Sequence, residues 1–435
     1  MIYEINDSDI HLSRAKQKNL NLFWMGLILY TLSYSLAATL VYIKITQLQA
    51  LQFIGVAMFV YAAINLLKFK IQNAYLKAVY IMLCLWSVGV MMRGITFDFA
   101  YLKELIFDAG GGIFIYLVPL FLLFPQNFAF YRKLFWVLLV FSVFHLLFTM
   151  IFYKDIFNPD RKSGLSQSIV ENFTGMGFSI SFLLLTYLYH EPKKRIFALG
   201  MLALSLLCVV YRARRGWIFI HVTTLLSILM IYLIVSKKTV MVIYLAVIMG
   251  LGGYFYFTSL YNQSNFGVFN FLVERGNEDT RTGVEVLFYE DMRPMDWAIG
   301  RGIRGEYYCP NIDALDLRGY RTFIETGYLQ IILKGGIISL VLLLLIVIPA
   351  FILGLFKSNN IFSKAFGMWI LLWVIYLYPT VGNSFSMQYI IVWIGVGVCF
   401  SPKIRNLSDE QVAEYLNPPK KTIIRGGKAK IIHTV

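Results

Sequence analysis

Long apolar runs separated by short polar breaks set the rhythm of this chain. They fall at roughly 22–43, 48–67, 77–92, 109–124, 134–152, 173–190, 196–210, 217–235, 239–258, 327–356, 365–379 and 384–400. Most approach or exceed about 18 residues, the length at which an apolar α-helix can cross a bilayer. The short alternating strands of a β-barrel are absent from the sequence. The pattern predicts an all-α polytopic membrane protein with about twelve transmembrane helices. The run from 196 is short, and the two around Pro379 are short enough to form a hairpin that barely crosses. The organisation expected is an N-terminal segment over 1–21, a bundle of about nine helices over 22–258, a long polar loop over 259–326, a bundle of about three over 327–400, and a basic tail over 401–435.

Composition supports the same reading. Of 435 residues, 58% are hydrophobic and 14% charged, more apolar surface than one soluble core could hide. The formal net charge is +15, but the excess sits in short connections and the tail, which argues against nucleic-acid binding. With the N-terminus inside, Lys68, Lys70 and Lys77, then Arg132 and Lys133, Lys193 to Arg195, Lys237 and Lys238, Lys357 and Lys364, and the tail all fall on the cytoplasmic side, as positive-inside topology requires. Both termini are therefore expected in the cytoplasm and the loop 259–326 outside. The polar residues 1–19 precede a full-length span and read as a cytoplasmic start, not a cleaved signal. Cys84, Cys208, Cys309 and Cys399 imply no disulfide framework.

One connection breaks the charge rule. Residues 211–216 carry Arg212, Arg214 and Arg215 on the expected outer side, where each is unfavourable by up to about 2.5–3.5 kcal/mol if drawn to mid-membrane depth. Arg93, Arg161 and Lys162 fall on the same face. So does the long loop, with Arg275, Arg281, Arg293, Arg301, Arg304, Arg318 and Arg321, and no lysine stands between 239 and 333. Two readings stay open. The arginines can snorkel and pair with the loop's many acids. Alternatively they form a clamp for phosphate or pyrophosphate, which the planar guanidinium fork grips bidentately.

Within the loop, Val284, Leu287, Phe288 and Met292 recur at helical spacing and predict a surface helix, with Trp297 as an interface anchor. Gly300-Arg301-Gly302-Ile303-Arg304-Gly305 predicts a flexible backbone that approaches a ligand while two guanidiniums point at it. Glu325 stands where the next apolar run begins, with Thr326 a candidate N-cap. It either complements the helix dipole or, given enough burial to raise its pKa, serves as a general base. Gly335-Gly336 reads as a kink or close-packing point, and His145 and His221 as packing residues without a metal-spaced partner. No nucleotide-binding loop, serine-hydrolase elbow or zinc signature is present, so no metal or cofactor is expected.

These residues resemble the O-antigen polymerase and O-antigen ligase family of bacterial envelope polysaccharide assembly. Arg214-Arg215-Gly216-Trp217 is similar to that family's Ser-Arg-Gly element, with Arg215 at the arginine. Arg281 and the later Gly300-Arg301-Gly302 resemble its loop arginine and Gly-x-Gly. Glu325-Thr326, nine residues and then Gly336 resemble its His-Asn (or His-Ser), nine residues, Gly element, with glutamate in place of histidine. Asn172-Phe173-Thr174-Gly175 is similar to an Asn-x-x-Gly at the start of an earlier span. The likeness covers roughly 160–350.

The resemblance implies a type C glycosyltransferase-like fold in the bacterial inner membrane, without metal or nucleotide. It implies transfer of a growing O-antigen, capsule or exopolysaccharide chain from undecaprenyl pyrophosphate to the non-reducing end of a lipid-linked repeat unit. Arg215, Arg281 and Arg304, then Arg212 and Arg301, would bind the pyrophosphate, and Glu325 would take the acceptor proton. Membrane lipids and a chain-length regulator are the partners it suggests. The alternatives are ligation of polymer to lipid A-core, which the missing histidine weakens, and transport of the lipid-linked repeat, which would call for internal repeats and mid-membrane charges.

Overall fold

The computed structural model describes residues 13–39, 45–95, 97–158, 164–236, 280–310 and 319–418. The expected span 239–258, the loop start 259–279, Arg161, Lys162, Arg275 and Arg318, and the tail from 419 lie outside the described residues. The first half comprises α1 (Arg14–Thr39), α2 (Ile45–Leu66), α3 (Ala74–Met92), α4 (Phe99–Phe107), α5 (Phe114–Leu117), α6 (Phe128–Ile151), α7 (Tyr153–Ile156), α8 (Gly164–Phe178), α9 (Ser181–Leu185), α10 (Pro192–Tyr211) and α11 (Arg215–Val235). The polar loop contributes α12 (Thr280–Asp291), α13 (Pro294–Ile299) and the paired β1 (Tyr307–Tyr308) and β2 (Tyr320–Arg321). Then follow α14 (Gly327–Phe356), α15 (Ile361–Tyr376), α16 (Met387–Phe400), α17 (Pro402–Arg405) and α18 (Asp409–Leu416).

The architecture is that of an all-α multi-pass membrane protein. Among the described residues, 8 helices are long and apolar enough to cross a membrane. α15, α16 and the stretch Phe114–Leu123 are shorter apolar helices. Large apolar side chains such as Phe53, Ile64, Leu85 and Met92 point outward, each more than 60% exposed, an arrangement suited to lipid and not to water. Two expected spans are broken. The run 109–124 enters as α5 and continues as a 3-10 helix over Val118–Leu123, with Pro119 near its start. The run 173–190 becomes α8, α9 and a 3-10 turn at Tyr187–Tyr189. The run from 196 is longer than expected, because Pro192 at the first helical position starts α10 early.

Polar residues mark the helix starts. The side chains of Asn73, Asn127 and Asn360 cap α3, α6 and α15 by accepting from backbone N–H groups three positions on. Between α1 and α2 the backbones touch: a Cβ on Gly26 would stand 2.7 Å from Gly55 O, the close approach that small residues permit in lipid.

The loop is a small subdomain with its own core, not a surface strap. Phe288, Met292, Tyr307, Cys309 and Ile324 pack with Leu329, Ile332 and Leu333 of α14. Trp297 faces this core, stacked on Tyr289 at 5.7 Å and edge-on to Phe288. Trp297 stays partly exposed while its ring joins α13 to α12. α14 is broken at Gly336, whose φ of 70° is a left-handed conformation that glycine adopts freely. The break frees backbone carbonyls, and the loop uses them: Arg301 N donates to Leu333 O and Gly302 N to Lys334 O, both at 2.8 Å. Trp86 Nε1 of α3 donates to Gly335 O at 2.9 Å.

Candidate functional site

The turn between α10 and α11, the start of α12, the start of α14 and the connection between α15 and α16 meet at one end of the bundle. Gly216 lies against that connection: a Cβ there would stand 2.8 Å from Pro379 O and 3.6 Å from Arg281 Nη2. Arg281 Nη2 itself donates to Pro379 O at 2.8 Å, and Arg281 Nε pairs with Glu325 at 3.4 Å. One turn further along α12, Glu285 accepts from the Thr326 hydroxyl. Gly327 completes the junction, where a Cβ would stand 2.5 Å from Thr380 O. Gly216 (the neighbour of Arg215), Arg281 and Glu325, far apart in sequence, are thereby brought to one place.

Arg214 joins them through Glu171 of α8, at 2.8 Å. Glu171 lines a cavity of about 210 Å³ between α1, α8, the head of α11 and the segment 380–388. Its wall includes Tyr34, Asn172, Trp217, Ser384, Ser386 and Gln388. The lining is held in place. Asn172 donates to Ser168 O at 2.9 Å, Tyr34 OH bonds Asp108 at 3.3 Å, and the Trp217 carbonyl accepts from His221 Nδ1 at 2.7 Å. His221 also meets Ser205 Oγ at 2.9 Å, so it works inside the packing. Thr380 and Val381 of the wall follow Pro379 directly, and Trp217 follows Gly216. The cationic junction is therefore the rim of the cavity.

The other expected ligands have different surroundings. Arg212 is 2% exposed, and its guanidinium donates to Asp155 O at 2.6 Å and Ile156 O at 2.8 Å. It closes the end of α7 and supports Ala213, held at a left-handed φ of 51°, a strained conformation that its surroundings must enforce. Arg301 binds Asp291 and Asp296, together with Asp291 O and Glu306 O at 2.6 Å. Burial alone would lower its pKa, but the bonds and charges of Asp291 and Asp296 outweigh that and raise it. Neither Arg212 nor Arg301 is among the described lining residues of the cavity. Arg304 stacks over the Tyr101 ring at 3.8 Å, beside Gly94.

Gly300 and Gly302 serve packing too. With φ of 71° and 82°, they press against the broken turn of α14 and against Arg93 O, where a Cβ on Gly302 would stand 1.8 Å away. Glu325 is 60% exposed at its side chain, so the burial expected of a base there is not found. Glu171 escaped the sequence reading; an acid directly before Asn172 at the start of an apolar run was the available signal. Ser384, Ser386 and Gln388 carried no signal apart from polarity. Comparison with family models, curated proteins and solved structures found no match, so function has to be argued from these residues.

Proposed function

We propose that the chain is a polysaccharide polymerase of the bacterial inner membrane, a metal-independent glycosyltransferase that moves a growing glycan from undecaprenyl pyrophosphate to the non-reducing end of a lipid-linked repeat. The observation that carries this reading is Arg281 set against the Gly216 turn next to Arg215, beside a cavity with both apolar and polar lining, in a bundle whose sides are dressed for lipid. A lipid diphosphate has the matching anatomy: an apolar tail for the bundle surface, a diphosphate for the guanidiniums, and a sugar for the cavity.

Departure of the diphosphate builds negative charge, and preorganised cations beside it lower the barrier. Arg281 can make the exchange. Its partner Glu325 is exposed, and such a pair contributes only about 0–1 kcal/mol, little to set against two or three charge-assisted phosphate bonds of about 1.5–3 kcal/mol each. On this geometry Glu325 holds Arg281 in place until the donor arrives.

The test is a deletion strain complemented with wild type, Arg215→Ala or Arg281→Ala, with the polysaccharide ladder displayed on a gel. Loss of every length beyond one repeat, at normal protein levels, is the expected outcome for deletion and both variants. Long polymer that is merely unattached to its lipid anchor would move the assignment to a ligase. An unchanged ladder in both variants would overturn the clamp.

A further inference from the structure

We propose that the 210 Å³ cavity is the subsite for a neutral sugar ring of the acceptor, and that Glu171 takes the proton from the attacking hydroxyl. This rests on the transfer reaction proposed above, and it assigns the base to a residue other than Glu325.

Three observations point there. The size comes first. Sites for drug-sized ligands span roughly 300–1,000 Å³, so this volume suits one ring and not a chain. The lining comes second. Trp217 and Tyr34 offer ring surface, while Asn172, Ser384, Ser386 and Gln388 offer neutral donors and acceptors. No lysine or arginine stands among the described lining residues, so the phosphates belong at the rim and an uncharged polyol inside. Ser386 Oγ and Gln388 Nε2 are buried without a hydrogen-bond partner in the protein. Buried polar groups are normally satisfied, and ligand hydroxyls would satisfy these two.

The third observation is the acid. Glu171 is the one carboxylate among the described lining residues; its side chain, 51% exposed, pairs with Arg214 at 2.8 Å. Glu325 pairs with Arg281 at the rim and is not among the described lining residues. In the step, the acceptor oxygen forms a bond to the anomeric carbon and the anomeric carbon–oxygen bond to phosphate breaks. The electron pair leaves on the lipid diphosphate beside Arg215 and Arg281. The hydroxyl proton passes to a Glu171 oxygen and then to water. Gly175 keeps the space open: it faces Gln388 Nε2 and Trp217, and a methyl there would meet ordinary contacts at 3.7 and 3.9 Å, whereas a larger side chain would fill the cavity.

The test uses the full chain in nanodiscs, with lipid-linked oligosaccharide extracted from the producing cells as substrate and farnesyl diphosphate as a probe of the rim. Glu171→Gln should lower transfer by about 10²–10⁴-fold. Glu171→Asp should recover part of the rate, and farnesyl diphosphate should bind both variants as it binds wild type. Gln388→Leu and Gly175→Leu should raise the acceptor KM at least about tenfold, one lost ligand hydrogen bond or more. Gly175→Ala should leave KM near wild type. Transfer by Glu171→Gln at the wild-type rate, or unchanged acceptor KM in both Gln388→Leu and Gly175→Leu, overturns the proposal and leaves the arginine clamp standing. A wild-type protein that neither binds farnesyl diphosphate nor elongates the extracted lipid removes the polymerase reading and this subsite with it.

Discussion

Arg301 and Arg281 stand in the same loop, and their neighbours divide their roles. Every arm of the Arg301 guanidinium meets a carboxylate or carbonyl that is itself largely covered. Breaking a network of that kind leaves charges without partners. Arg301→Ala should therefore cost about 2–3 kcal/mol of stability, seen as a lower melting temperature in detergent, while farnesyl diphosphate affinity per folded molecule stays within twofold. Arg281 is 39% exposed and shares a weak pair. Arg281→Ala should scarcely change the melting temperature yet weaken farnesyl diphosphate binding about 10- to 100-fold, the loss of one charge-assisted contact. A fall in stability without a fall in affinity would place Arg281 with Arg301. In sequence the two arginines look alike, each a guanidinium in a polar loop. Only their partners separate them: Asp291 and Asp296 for Arg301, Glu325 for Arg281.

At the scale of elements, the break in α14 is the point on which the loop subdomain hangs. Gly336 is left-handed, and a Cβ there would lie 2.1 Å from Ala298 O. Gly336→Ala should cost at least about 2 kcal/mol from backbone strain and overlap together, and limited proteolysis should then cut α12 and α13 faster than in wild type. The glycine pair was legible as a kink, but the identity of what fills the kink was not. The turn between α9 and α10 offers a second handle. His190 is buried, against Thr186 Oγ1 at 2.9 Å and the Phe135 ring. Burial, reinforced by the charges of Lys194 and Arg195, lowers its pKa from 6.5 to about 4. An unfolded chain would bind a proton below about 6.5 that the folded turn refuses until about 4. Stability from this group is thus complete above the first value and declines as pH falls through the second, by about 3 kcal/mol in all. Melting temperature measured from pH 7 to pH 4 should fall in wild type and fall less in His190→Gln.

Across the whole molecule, lipid-facing side chains and the cavity at one end divide the protein into a wall and a mouth. The starts of α11 and α14 and the connection before α16 share one end of the bundle. Single cysteines at Glu325 and Ser384, in a chain freed of its own thiols, should react with a membrane-impermeant maleimide from the same face. A cysteine at Lys403, beyond α16, should be protected from it in intact cells. Labelling of Glu325 and Ser384 from opposite faces would break the mouth apart.

The sequence by itself determined that this chain lives in lipid, where most of its helices lie and which arginines were out of place, because hydrophobic length and charge placement are local properties that a bilayer reads directly. Through order along the chain it also grouped Arg215, Arg281, Arg304, Arg212, Arg301 and Glu325 as one expected site. Tertiary structure decided which cations the protein keeps for itself and which stand at a cavity, and it alone brought out Glu171. Those outcomes depend on contacts between residues such as Glu171 and Arg214, or Arg281 and Pro379, that no spacing encodes. A guanidinium's availability is set by the carbonyls and carboxylates folded around it.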